Sequence, residues 1–285
     1  MSVFNIISIP RSGHIAILNW LAGQESCEYV NSGRAIHDEQ MGFSAQVGDH
    51  SMLICPHRRD GYLDLAHKEL IRKHLHPDKT LIIDNQSFDY GRIEKNYQIL
   101  PENFEIRLDK VYNIVVLRDA FNNLASYMKL TKRYRDRTIE NWGKFKENWK
   151  TQAREVLNPT FTIPILYNKW KVSSEYRRSI CVLLGLRFTD FGFNRVPHNG
   201  SGSSFDEMNY DGKASEMNTL KRYEEEEKDG LFLELIDQEL VDLTRKVFGM
   251  YAPSSTENMN PDWYKERDNN WKTKLKYKLY NWLKK

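Results

Sequence analysis

An α/β domain, three layers deep with a central parallel sheet flanked by helices, is the fold the sequence predicts, and three observations carry it. Apolar runs of strand length recur at residues 3–9, 51–55, 80–84, 111–117 and 161–166. Segments with apolar residues at helical spacing stand between most of them. The runs are close to continuous instead of alternating with polar residues, as expected of parallel strands buried on both faces.

The first unit organises the others. Val3 to Ile9 reads as a strand, Pro10-Arg11-Ser12-Gly13 as a tight loop, and Ile15 to Leu21 as a helix closed by Gly23. Such a junction favours an anion, because the N–H groups of the first helical turn and the positive end of the helix dipole face the loop. Arg11 adds a charge and Ser12 a hydroxyl. An ordinary βα turn with an exposed arginine has the same sequence.

Residues 24–50 are polar and glycine-punctuated, which predicts a long functional loop. Ser51 to Cys55 is a short buried strand stopped by Pro56, with His57-Arg58-Arg59-Asp60 at its C-terminal edge, where open α/β sheets place ligands. Helical spacing covers Leu63 to Leu75, and Pro77-Asp78 ends it before the strand Thr80 to Asp84. Val111 to Leu117, then Arg118-Asp119 and a helix carrying Phe121, Leu124, Ala125 and Met128, repeat the logic of the opening. Trp142, Phe145, Trp149, Ala153 and Val156 mark the core face of a long helix. Pro164 puts the strand 161–166 at a sheet edge.

Tyr176, Ile180, Leu183 and Leu184 predict a helix stopped by Gly185. Residues 192–219 have no apolar period and are rich in Gly, Asn and Ser, the composition of a lid or binding loop. Glu224 to Glu227 read as a solvated helix face. A last core helix is expected from Leu231 to Val247, with Phe232, Leu235, Ile236, Leu240 and Leu243 inward and Gly249 as its stop.

Bulk properties narrow the function. At 285 residues, 40% hydrophobic and 28% charged, the chain has the composition of a soluble globular protein, and no apolar stretch reaches transmembrane length. Three scattered cysteines argue against a disulfide framework and for a reducing, cytoplasmic setting. A net charge of +3 does not imply nucleic acid. No Gly-x-x-x-x-Gly-Lys-Ser/Thr occurs, and the approach to Gly-x-Gly-x-x-Gly at Gly200 has Phe205 in its final place, which disfavours an ordinary ATPase or Rossmann enzyme. There is no His-Glu-x-x-His or Asp-x-Asp, so no metal is expected.

Residues 1–262 are read as the catalytic domain and 263–285 as a basic, aromatic tail. Trp271, Leu275, Leu279 and Trp282 would share one face of a helix in it. The tail is expected to pack back on the domain and to give at most weak, salt-sensitive membrane-surface contact, the alternative being an interfacial membrane helix.

The chain resembles the sulfotransferases that use 3′-phosphoadenosine 5′-phosphosulfate (PAPS). Pro10-Arg11-Ser12-Gly13 stands where that family wraps the 5′-phosphosulfate, with His14 and Ile15 in place of a common Thr-Thr pair. Arg118-Asp119 and Ser126, eight residues after the arginine, match the 3′-phosphate motif, with Ala120 replacing a usual Pro. Leu166-Tyr167-Asn168-Lys169-Trp170 resembles the fifth strand, with Tyr167 near adenine. Ser203-Ser204-Phe205 to Met208 resembles the segment that contacts the base through Ser203 and Phe205. Phe205 is either a stacking face or a small hydrophobic anchor. Leu220-Lys221-Arg222-Tyr223 resembles a further phosphate segment, and its Arg222 is either a ligand or a surface arginine balancing the acidic run.

The resemblance implies the P-loop-like sulfotransferase fold, PAPS as donor, PAP as product and no metal. It implies sulfuryl transfer to a hydroxyl or amine of a small-molecule, lipid or carbohydrate acceptor that the sequence does not name. Catalytic roles fall to Arg11 and to a histidine base, His57 after the second strand or His14 beside the loop. The alternatives are a nucleotide-dependent phosphotransferase and a non-catalytic membrane-surface or scaffold protein.

Overall fold

Residues 2–24, 27–31, 44–47, 50–54, 80–85, 101–105, 107–133, 139–159, 162–196, 205–206 and 209–249 are described by the computed structural model. Among them, β1 (Ser2–Ser8), β2 (Cys27–Asn31), β3 (Ser44–Val47), β4 (His50–Ile54), β5 (Thr80–Asn85), β6 (Lys110–Leu117) and β7 (Thr162–Leu166) form one sheet. Its order is β3-β4-β2-β5-β1-β6-β7. The opening strand is therefore interior, parallel to β5 on one side and to β6 on the other.

Two departures from the sequence reading concern residues 24–50. The expected loop contains β2 and β3, and β3 runs antiparallel to β4, pairing Val47 with His50. Cys27-Glu28-Tyr29-Val30-Asn31 and Ser44-Ala45-Gln46-Val47 are short and mixed in polarity, so neither produces the apolar run that marks an interior strand. The other pairings are parallel. Pro164 sits on β7, the terminal strand, as its missing N–H requires.

The described helices are α1 (His14–Ala22), α2 (Ala120–Arg133), α3 (Ile139–Leu157), α4 (Tyr167–Val172), α5 (Ser174–Leu184), α6 (Tyr223–Glu226), α7 (Gly230–Leu235) and α8 (Gln238–Phe248). They cover both faces of the sheet. Phe4 and Ile6 of β1 join Ile114 and Val116 of β6 in a cluster with Ile17, Leu18 and Leu21 of α1, whereas Ile7 and Val115 on the opposite face meet Val156 of α3. The polar Asn5 inside this sheet is satisfied by its register partner, its Nδ2 donating to Asn113 Oδ1 at 2.9 Å.

A second layer of contacts fixes α1 against α4 and α5. Trp20 meets Trp170 edge to face at 6.0 Å, and Phe193 meets Trp170 at 5.1 Å. Arg177 of α5 donates through Nε and Nη2 to the two oxygens of Asp190, at 2.8 and 2.9 Å, and lies over the Phe193 ring at 3.7 Å. This planar fork against a carboxylate is the strong form of an ion pair.

The expected single helix over 231–247 is broken. Ile236-Asp237 leaves the helical conformation, and the Asp237 carboxylate accepts from Leu240 N to cap α8. Asp229 caps α7 in the same way, accepting from Leu231 N. The acidic run also differs from a simple solvated face, since Glu226 is buried and pairs with Lys132 at 2.5 Å. Asp237 additionally joins α8 to α3 by accepting from Lys146 and Lys150, each at 2.8 Å.

Burial pushes the Asp237 carboxyl upward, and the hydrogen bonds from Lys146, Lys150 and the cap outweigh it, bringing the group from 3.8 down to about 2. A carboxyl depressed on folding stabilises the fold above its unfolded value, and that stabilisation is lost as pH falls through the folded one. Asp237→Asn keeps a capping side chain and removes the charge. It should cost under about 1 kcal/mol near neutral pH, because the group is more than a third exposed and screened. Urea titrations of both proteins should show that difference shrinking between pH 3.8 and about 2.

Candidate functional site

Strand register places the chemistry. Ser8 pairs with Val116 and Leu117 with Leu166, so the residues that follow each strand, Pro10 to Gly13, Arg118 and Tyr167, emerge side by side at one edge of the sheet. Open parallel sheets bind ligands at that edge.

The loop after β1 is tightly wound. Ser12 N donates to Ile9 O at 3.3 Å, and Gly13 O accepts from Ala16 N and Ile17 N to start α1. Arg11 has φ 65° and Gly13 φ 83°. The left-handed conformation at Arg11, a residue with a Cβ, costs on the order of 1–3 kcal/mol and persists because the surroundings fix it. At Gly13 any other residue would be strained and would force the Tyr167 ring to shift, since an added Cβ would lie 2.3 Å from its ring carbons. Ser12 and His14 are buried beneath, with Ser12 Oγ 3.4 Å from His14 Nδ1. Ile15 is partly buried and packs against the core.

Tyr167 is not in a strand, as the sequence reading had it. β7 stops at Leu166 and Tyr167 opens α4, which lays its ring over Gly13 and brings its hydroxyl within 3.3 Å of Thr219 Oγ1.

Arg118 is the centre of the arrangement. Its guanidinium is buried, and Nη1 donates to Ser126 Oγ at 3.0 Å and to the Arg11 carbonyl at 3.3 Å. Nη2 donates to the Thr219 carbonyl. Nε is buried with no hydrogen-bond partner among the described residues. Burial, then the like charges of Arg222 and Arg11, bring the guanidinium down to about 10 against the opposing pull of Tyr167 and Asp119, so it remains a cation at neutral pH. An orphaned buried donor among like charges fits an anionic oxygen.

Around this arginine, Asp119 belongs to the motif read from the sequence, whereas the asparagines bonded to it and to the loop were missed. The fully buried Asp119 caps α2 by accepting from Asn122 N at 2.9 Å, and also accepts from Asn122 Nδ2 and from Asn168 Nδ2. Asn122 reaches the other way, donating to Leu220 O at 2.9 Å and accepting from Arg222 N at 2.7 Å. Asn123 Nδ2 donates to Pro10 O at 3.0 Å, and Trp149 Nε1 to Arg118 O at 2.8 Å. The signal available was an Asp followed three residues later by Asn at a helix start, a capping pattern.

Residues 205–206 and 209–222 cross the same edge. Phe205 lies under two cations, Lys129 Nζ at 3.8 Å and Arg222 Cζ at 4.7 Å from its ring centre. Arg222 is buried and pairs with Asp206 at 2.9 Å, so it is not a surface partner of the acidic run. The fold thus gathers Arg11, Ser12, Gly13, His14, Ile15, Arg118, Ser126, Tyr167, Phe205 and Arg222 around one sheet edge. Ser203, His57 and the tail 263–285 lie outside the described residues.

No family model matches the chain, and no curated protein does. Among solved structures, the sulfotransferase domain from the Synechococcus PCC 7002 olefin synthase is similar at 17% identity and a TM-score of 0.39, with 90% of each chain covered. No helix among the described residues is long and apolar enough to cross a membrane.

The contact between Gly13 and Tyr167 can be tested by a cycle. Gly13→Ala is expected to destabilise the protein by roughly 2–4 kcal/mol in urea unfolding, combining a left-handed penalty with a steric one. In a Tyr167→Ala background the steric part disappears, and the same substitution should cost only about 1–2 kcal/mol. Equal costs in both backgrounds would show that the ring does not rest on the loop.

Proposed function

We propose that the protein transfers a sulfuryl group from PAPS to a hydroxyl or amine of an acceptor and releases PAP. The observation that supports this best is the meeting of two phosphate-type motifs: Arg118, with Ser126 on its guanidinium, reaches the carbonyl of Arg11 in the loop after β1. A donor with charged groups at both its 5′ and 3′ ends needs two such sites side by side.

In this reading the amides at the start of α1, with Arg11, Ser12, Gly13, His14 and Ile15, hold the 5′-phosphosulfate. Arg118, Ser126 and Arg222 hold the 3′-phosphate, and Tyr167, Ser203 and Phe205 border adenine. The acceptor oxygen or nitrogen bonds to sulfur as the bond from sulfur to the phosphate oxygen breaks. Arg11 and the loop amides stabilise the charge that develops on that oxygen, by analogy with phosphoryl transfer. The acceptor's proton goes to a histidine.

His57 is assigned as that base, with His14 as its competitor. His57 follows β4 in the sequence and lies outside the described residues. His14 sits in the loop unit itself.

A thermal-shift series with PAP, ATP and anionic vesicles tests the reading, because a ligand of the native state raises Tm. PAP should stabilise most. Superiority of ATP would indicate a phosphotransferase instead, and superiority of vesicles a surface-binding protein. Arg118→Ala should weaken PAP binding by about tenfold to a hundredfold in calorimetry, the value of a charged hydrogen bond. An unchanged Kd would remove Arg118 from the site.

The base assignment has its own test. His57→Ala should lower kcat by about 100-fold or more and leave PAP affinity nearly intact. If His57→Ala retains turnover and His14→Ala loses it, the role belongs to His14.

A further inference from the structure

Lys171 has no part in the reading above. It stands four residues after Tyr167 on α4, so the two side chains share a helical face. Tyr167 meets Thr219 Oγ1 through its hydroxyl, and the Lys171 ammonium donates to the Ala214 carbonyl. One short helix therefore fastens the segment 214–219 at both of its ends, and the Thr219 carbonyl lies on Arg118. Asn194 holds the same strap from a third side, accepting from Ala214 N and Ser215 N at 3.0 Å each.

The electrostatic surroundings of Lys171 are unusual for a lysine. Among the described residues no carboxylate comes within ion-pair distance of it. The main charges that act on it, among the described residues, are Arg222 just after the strap, Arg177 from α5 and Arg118 from the end of β6, with Asp206 opposing them. Arg177 and Arg222 are each paired to a carboxylate of their own, Asp190 and Asp206. Burial first, then the three arginines, bring the ammonium from 10.5 down to about 8. A half-buried ammonium held to a carbonyl, in the field of three arginines, is stabilised by one more negative group.

We propose that Lys171 belongs to the anion site, as a positioning residue that fastens the strap and whose charge sets the affinity for the phosphates of the ligand. This rests on the proposed PAPS site. Linkage gives the sign. A bound phosphate raises the pKa of the ammonium, so binding is strongest below the free-state value of about 8 and weakens as pH rises above it. Phosphate is already doubly charged over that range and adds no dependence of its own. Arg118, at about 10, also stays cationic there.

The test is calorimetric titration of the full chain with PAP and, separately, with inorganic sulfate, a dianion at both values, at about pH 7 and about pH 9. For the wild type, Kd should rise by about tenfold over that interval, and binding near pH 8 should take up protons from the buffer. Lys171→Met should bind about tenfold more weakly at the lower pH and show little further change, as expected for one lost charge-assisted contact. Lys171→Arg keeps a permanent cation, so its affinity should be flat across the range, and it decides the matter even if the methionine variant fails to fold. A flat wild-type profile, or a wild-type profile retained by Lys171→Arg, overturns the inference. Sulfate binding with the expected profile while PAP fails to bind would uphold Lys171 and refute the nucleotide. PAP binding with a flat profile would do the reverse, and binding of neither refutes both.

Discussion

Taking the Arg118 guanidinium out of water removes the hydration of a permanent charge, and its surroundings replace that hydration with dipoles. The groups that accept from it are two backbone carbonyls and a hydroxyl, from Arg11, Thr219 and Ser126. The nearby carboxylate, Asp119, directs its oxygens to Asn122 and Asn168. An arginine satisfied by neutral acceptors keeps its net charge available, whereas a fork against a carboxylate, as at Arg177, does not. The loop after β1, the start of α2, the start of α4 and the strap all converge on this one group, so their positions are mutually conditional.

The same logic explains why the apolar packing beneath the site is so aromatic. Trp20, Trp149 and Trp170 are among the largest fully buried side chains. Trp149 donates to the Arg118 carbonyl, and Trp170 packs between Trp20 and Tyr167. Rings of this size restrict the backbone above them with few rotatable bonds, and a loop with a left-handed arginine needs such a floor to persist.

Much of this was legible in the residues. Strands β1, β5 and β6 and the core faces of α2 and α3 follow from continuous apolar runs and helical spacing, because burial on both sides imposes those patterns directly. β2 and β3 were not legible, since short strands of mixed polarity near a sheet edge carry no periodic signature. The break at Asp237 was missed because the apolar period continues across it, and the cap that interrupts it depends on one carboxylate. Arg118 and Ser126 were found through their spacing. Asn122, Asn123, Asn168 and Thr219 were not, because an asparagine that bridges two segments looks in sequence like any loop asparagine. Strand order was equally invisible, and it is what separates β4 from β1.

The two margins of the sheet bear on how copies of this chain meet. At one margin the last strand, β3, has only four residues, and at the other β7 has five with Pro164 at their centre. A proline there withholds a donor that an incoming strand would need, and short margins offer few others. Neither side of the sheet is a good template for continuation into a second molecule. Among the described residues, strand addition is discouraged at both ends of the sheet.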